Sequence, residues 1–478
     1  MSDCFSRRHF LSSSAMNIGA LGFLSLLKDD GVLAAVNPEK PILERAVYDN
    51  LPKAPHHAPK AKAMISLFMG GGPSHIDMFD PKPLLKKYDG KLFPGGEIKF
   101  DNAGGASREV MASPFEFKKH GECGMELSEL IPHTAGIADD ICLVRSMNLK
   151  GIRNHVAGMR AMDTGTGLNG RPALGSWLTY GLGSENQNLP AFVALVVGKN
   201  PPGSPFWASG LLPSMFQGTH VREQEPRIMN LDPPAYLKGA PQDLQLNLLE
   251  SLNRRHLEQF PGEHDLQARM ASYELAARMQ IAAREVFDLK KETAATRAMY
   301  GLDNDRTRRL GEACVIARRL VERGVRFVQI WDYSWDMHEN IFEALQRKCS
   351  TVDQPSAALV TDLKSRGMLD STLVYWGGEM GRLPVIQGRG KGKPGRDHNT
   401  DGFSIWMAGG GVKRGHVHGS TDDFGLFAQT DVVYHHDYLT TVLHLMGLNA
   451  EKLAYKRGSR NETILNGQPG NVVRGVLA

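Results

Sequence analysis

The segment LGEACVIARRLVERGVRFVQIWD, residues 310–332, decides the fold. It reads as a helix ending near Gly324, followed by a buried strand ending near Asp332. The segment QPSAALVTDLKSRGMLDSTLVYWGGEMGR, residues 354–382, repeats the pattern, with Gly367 as the stop and Thr372–Trp376 as the strand. Working outward, MISLFM (64–69), ADDICLVRSM (138–147), LPAFVALVV (189–197) and FSIWMAGGGV (403–412) are further buried strands, and DYLTTVLHLMGL (437–448) is a helix that closes at Gly447. Alternating helix and strand predicts an α/β sandwich with a mainly parallel central sheet flanked by helices. Residues 242–297 are helical in character and form a layer or arm. There Leu266, Met270, Tyr273, Ala277 and Ile281 keep one face apolar, as a packing stripe rather than a cofactor site.

With 478 residues, 41% hydrophobic and 23% charged, the chain is long enough to bury a sizeable core. A net charge of +4 is too weak to argue for nucleic acid or an anionic membrane as a partner. The N-terminus is more informative. Arg7 and Arg8 precede Phe10 and Leu11 and a modest apolar stretch to Leu27, and VLAA at 32–35 supplies small residues for cleavage. This resembles a twin-arginine export signal over residues 1–34, which implies passage through the twin-arginine translocase and a periplasmic or secreted protein. A Pro-, Ala- and Lys-rich lead-in follows at 35–62, with no role expected for His56 and His57, and then the α/β domain at 63–478. No membrane span is expected after processing. Cys123, Cys142, Cys314 and Cys349 form no CxxC pair and are expected as buried free thiols.

Candidate chemistry gathers where strands end. The strand at 64–69 runs into GGGPSHIDMFD, which presents His75, Asp77 and Asp80 on a glycine hinge. Asp332, Asp336, His338 and Glu339 follow the strand ending near 332, and Glu379 and Arg382 follow the strand ending near 376. Arg396, Asp397, His398 and Asp401 precede the strand starting near 403. Ligands in open α/β sheets sit at the carboxyl ends of the strands, so these clusters can meet in space. Mixed carboxylate and imidazole donors suit a divalent transition metal better than Mg²⁺. The basic loop GRGKGKPGRDH (388–398) reads as solvated at Lys391 and Lys393, with Arg382 and Arg396 left open as anion contacts.

Taken together, GGGPSHIDMFDPKP, WDMHEN, GGEMGR, GRDHN and the twin-arginine start resemble a bacterial exported family called domain of unknown function 1501. That family is grouped with the alkaline phosphatase and sulfatase superfamily. The resemblance implies that fold and a metal centre holding Zn²⁺, with Ca²⁺ or Mn²⁺ as alternatives. It implies Asp77, Asp336, His338, Glu379 and His398 as metal ligands and an anionic ester, small or on a glycan, as substrate. The departure is at the nucleophile, where a Ser, Thr or modified Cys would open a helix. NHVAGMRAMDTG (154–165) fits that helix, yet the position falls on His155 or Asn154, and no cysteine has the x-P-x-R that formylglycine formation requires. Catalysis would then use His155, kept neutral by the helix N-terminus, or water, with Arg382 steadying the anion. The alternative is a non-catalytic descendant that keeps the metal or anion pocket.

Overall fold

The computed structural model describes residues 49–478 apart from 102–106, 199–205, 230, 232–235, 237–239, 260–263 and 388–392. The expected twin-arginine segment, the first half of the lead-in and Lys391 therefore lie outside the described residues. Among the described residues, nine strands make the central sheet: β1 (Ala63–Met69), β2 (Ile141–Asn148), β3 (Phe192–Val197), β4 (Thr219–Val221), β5 (Phe327–Asp332), β6 (Thr372–Gly377), β7 (Phe403–Ala408), β8 (His416–His418) and β9 (Val433–Tyr434). Their order is β8-β2-β7-β6-β1-β5-β3-β4, with β9 continuing the outer edge of β2. All neighbours are parallel except at β7, which runs against both β6 and β2.

The main helices are α1 (His155–Thr164), α2 (Leu174–Leu182), α3 (Ala240–Gln259), α4 (His264–Phe287), α5 (Arg308–Glu322), α6 (Ile341–Ser365) and α7 (His435–Leu445). Sequence periodicity sets their packing. Along α5, Leu310, Cys314, Ala317 and Val321 are buried at helical spacing, so one face lies on the sheet while Arg318 and Arg319 pair with Glu292. Central strands β1, β5 and β6 are buried along their whole length, as a sheet covered on both faces requires. One apolar cluster, including Ile65, Leu67, Val328 and Ile330, packs with α5 and α6. A second, including Met64, Phe68, Trp331 and Tyr375, packs with α1, α2 and α7.

Four expectations change. Helix α6 begins at Ile341, well before residue 354, and runs through Pro355. The arm is a pair of helices whose apolar stripe is not a packing face. Tyr273 is 64% exposed and Met270 and Ala277 are half-buried, while the side chains of Leu266 and Ile281 are outside the described set. Burial in α4 falls instead near its C-terminus, at Met279, Ala283 and Val286, where Arg319 Nη1 donates to the Val286 carbonyl. In the lead-in, the His57 ring contacts the His444 carbonyl through Nε2 (3.0 Å), and Asn449 N donates to His56 Nδ1 (2.9 Å), so the two histidines tie this segment to α7 and to the turn after it. Cys142, Cys314 and Cys349 are buried free thiols as expected, whereas Cys123 is exposed. Among the described residues, no helix is long and apolar enough to cross a membrane.

A buried carboxyl sits between α1 and the sheet. Asp163 Oδ1 accepts from Gln329 Nε2 (3.1 Å), and the Leu174 backbone N–H also faces the carboxyl. Burial pushes the group up to about 8, against the lowering effect of the Gln329 bond. The folded chain thus keeps a proton that the unfolded chain releases above about pH 4, and stability falls as pH climbs from there towards 8. Asp163→Asn removes this dependence, so its melting temperature should rise above that of the wild type by a margin that widens from about pH 5 to about pH 8. A margin that stays constant across those melts refutes the neutral carboxyl.

Candidate metal centre

Four loops at one edge of the sheet build the site. The register that sets Met69 beside Asp332 and Phe68 beside Gly377 makes β1, β5 and β6 end together. Strand β2 leads towards α1, whose first residue is His155. Strand β5 runs into the loop carrying Asp336 and His338, and β6 into Glu379. Because β7 is antiparallel, its start lies at this same edge. A two-residue ribbon pairing His398 with Arg382 and Asn399 with Gly381 delivers His398 there.

His155, Asp336, His338 and His398 each offer one ligand atom, all within 4.8 Å of one another. The focus is Asp336 Oδ1, which has His338 Nε2 at 2.8 Å, His155 Nε2 at 3.0 Å, His398 Nε2 at 3.3 Å and Arg382 Nη2 at 2.8 Å. Each imidazole is fixed through its other nitrogen: His155 Nδ1 by Glu379 Oε1 (2.6 Å), His338 Nδ1 by Gln387 Oε1 (2.5 Å) and His398 Nδ1 by Asp101 Oδ2 (2.8 Å). Acceptors in that position set the ring orientation and raise the basicity of a metal-ligating histidine. His155 Nε2 is close to Asp336 but out of line for a hydrogen bond, which leaves a buried ring nitrogen without a directed partner. The donor set therefore fits a divalent cation. Asp336 and His338 are the open side, with about a third of each side chain exposed (31% and 29%).

Electrostatics follow from this crowding. Burial works against the Asp336 charge, but three imidazoles and Arg382 hold its carboxyl far below the usual range. Burial also opposes a charge on His155, yet Asp336 and Glu379 outweigh it and lift His155 to about 9. Two carboxylates face the His155 ring and outweigh the helix end, so the neutral form expected from the sequence is reached only by releasing a proton when the ring ligates a cation. That helix end is also capped, since Asn154 Oδ1 accepts from the backbone N–H of Val156 and Ala157 (3.0 and 3.2 Å). Those donors are not free for an incoming anion.

Glu379 stands one step back, accepting from Gly71 N through both oxygens (3.0 and 3.2 Å) while holding His155. The Gly71 backbone, at φ +112, passes so close to the 335–336 chain that a Cβ there would lie 2.6 Å from Asp336 N. Only glycine fits. Arg382 is fully buried, and every guanidinium nitrogen donates within the protein, to Gly71 O, Gly72 O (3.0 Å), Trp335 O (3.1 Å), Arg396 O (3.1 Å) and Asp336 Oδ1. It braces the loops instead of presenting a donor to an anion.

Asp77 is not brought into the group. Its carboxylate is fully buried in a two-point ion pair with Arg396 (3.0 and 3.2 Å) and accepts from Ser74 Oγ (2.5 Å). His75 contacts the Gly425 carbonyl (2.8 Å), and Asp80 pairs with Lys82 (3.0 Å), so the first loop supplies backbone rather than ligands. Lys393 pairs with Glu343, Asp332 with Lys348 (2.8 Å) and Asp401 with Arg153 (2.9 Å). Sequence reasoning missed Asp101 and Gln387. The first lies in a glycine-rich stretch without periodicity, and the second is not a residue type that metal-site patterns single out.

Comparison with known proteins gives a family and a set of distant folds. The structure resembles PsFucS1 sulfatase from Pseudoalteromonas sp. (14% identity, 82% of this chain and 69% of that one, TM-score 0.35). It also resembles a phosphonate monoester hydrolase from Silicibacter pomeroyi (10%, 72% and 71%, 0.34) and alkaline phosphatase from the Antarctic bacterium TAB5 (11%, 82% and 99%, 0.30). Likeness of this size carries no argument about activity. No curated protein sequence matches the chain. The model of the family described as "Protein of unknown function (DUF1501)" matches residues 61–477. That span takes in every strand of the sheet and all four loops of the site, and the chain belongs to the DUF1501 family.

Proposed function

We propose that the chain is an exported, metal-dependent hydrolase of phosphate or sulfate esters. One observation carries the reading: three imidazoles, each anchored through Nδ1 by a different acceptor, turn Nε2 towards one carboxylate oxygen at a solvent-reached strand edge. His155, His338, His398 and Asp336 would hold the cation, and this nitrogen-rich set favours Zn²⁺ or Mn²⁺ over oxygen-seeking Ca²⁺. A cation bound there supplies Lewis acidity towards the ester oxygen and lowers the pKa of water. Glu379, Gln387 and Asp101 keep the ring nitrogens aimed, and Arg382 keeps Asp336 in place. In this reading His155 is a ligand, and water replaces the missing hydroxyl or thiol nucleophile.

A binding protein descended from such enzymes is the second reading. It is favoured by the start of α1, where neither Asn154 nor His155 is a hydroxyl or thiol nucleophile and the Asn154 side chain is spent on the cap. Turnover of aryl phosphates or sulfates that disappears on chelation and returns with Zn²⁺ or Mn²⁺ supports the enzyme. Stoichiometric metal with no turnover of either class supports the binder. Export is tested separately: with Arg7→Lys and Arg8→Lys together, the chain should stay cytoplasmic with residues 1–34 attached, and normal trimming would refute the route.

A further inference from the structure

Beside the metal centre lies a cavity of about 610 Å³ that shares Asp336 with it. Its floor is the 332–339 loop, including Tyr333 and Ser334, and its far walls are the starts of α5 and α6. Four cations line it: Arg306, Arg309, Arg347 and Lys348.

Two of them are already committed. Lys348 is closed onto Asp332 (2.8 Å) and the Tyr333 carbonyl (2.9 Å), and Arg309 is paired with Glu223. The other two are not. The Arg306 side chain is exposed and has no partner among the described residues. Arg347 reaches only Glu343, at 4.0 Å, and that carboxylate is shared with Lys393 and with Asn340 Nδ2 (3.0 Å). The acidic groups facing the cavity are Asp332, neutralised by Lys348, Asp336, which belongs to the metal centre, and the exposed Glu339. Two guanidinium groups are thus available against one free carboxylate. Guanidinium is suited to sulfate and phosphate because its fork matches their oxygens in pairs.

We propose that this cavity is a second anion subsite, which makes the substrate an ester carrying at least two sulfate or phosphate groups. One group is presented to the His155–Asp336–His338–His398 cluster while Arg306 and Arg347 hold another. The assignment of a reacting group rests on the hydrolase reading above; the subsite itself rests on the cavity and its arginines.

The test is calorimetric binding to the purified full chain, with metal content measured in parallel. The probes are a disulfated disaccharide against its monosulfated counterpart, and glucose 1,6-bisphosphate against glucose 6-phosphate. The bis-anion of one pair should bind about tenfold or more tightly than its mono-anion, with an advantage that shrinks as salt is raised. Arg306→Glu with Arg347→Glu should abolish that preference and leave bound metal unchanged. Arg306→Gln with Arg347→Gln serves if charge reversal impairs folding. The pair that shows the preference tells sulfate from phosphate. Equal binding of bis- and mono-anions in both pairs, or a preference that survives in the double variants, overturns the subsite. A preference that depends on the arginines in a protein holding no metal and turning over no ester keeps the subsite and removes the hydrolase reading.

Discussion

Purified without chelators, the protein should carry about one equivalent of a divalent transition metal, and His398→Ala should remove most of it. His398 is 5% exposed and locked to Asp101, so its loss takes away an oriented donor that no neighbouring side chain replaces. A cation that binds only the folded chain stabilises it by about 3 kcal/mol when free metal is at a hundred times the dissociation constant. Wild-type protein should therefore melt clearly lower after chelation and recover on adding Zn²⁺ or Mn²⁺, while His398→Ala should show neither change. Asp336→Ala should behave in the same way. Elemental analysis alongside thermal melts checks both points, and a wild type that holds no metal and gains no stability from either ion removes the centre.

The second large effect is expected at the buried pair of Asp77 and Arg396. Both side chains are fully buried, and the guanidinium also lies over the Phe342 ring at 5.7 Å. Removing one member of a buried ion pair leaves the other charged and without water, at a cost of about 3–5 kcal/mol. Asp77→Ala and Arg396→Ala should each lower the unfolding free energy from urea titration by that amount, seen as a fall in the midpoint with the slope unchanged. Replacing both with apolar residues of similar volume should recover much of the loss. Asp77→Asn separates this role from metal ligation: the folded fraction should keep its metal. Loss of metal without loss of stability would instead place Asp77 among the ligands.

The contrast between these two sites shows what the sequence made legible. Apolar runs ending near Asp332 and Trp376 announced buried strands, and ligand-type residues just beyond them announced Asp336, His338 and Glu379, because strand direction puts such residues at one edge. His155 and His398 were visible in the same way, from a helix start and a strand start. Which of these carboxylates meets the imidazoles was not visible. Asp77 and Asp336 are equivalent as residue types, and only the fold decides that Arg396 takes the first. Nor does hydrophobicity reveal strand direction, so β7 could not be read as the antiparallel member. On the arm, the 3.6-residue period was present at Met270 and Tyr273, but a period does not say whether a face has anything to pack against.

The anchors of the centre join residues far apart along the chain: His155 to Glu379 across 224 positions, His398 to Asp101 across 297 and Arg382 to Gly72 across 310. Such high contact order belongs to the slow class of folding events, because long loops must close before any of these contacts forms. A nascent chain released before residue 398 still lacks the third imidazole, so capture of an ion at the proposed centre would be a terminal step and not a nucleus. Occupancy then reports completed topology. If the export and the metal proposed above both hold, a filled centre would mark a folded chain ready to leave the cytoplasm.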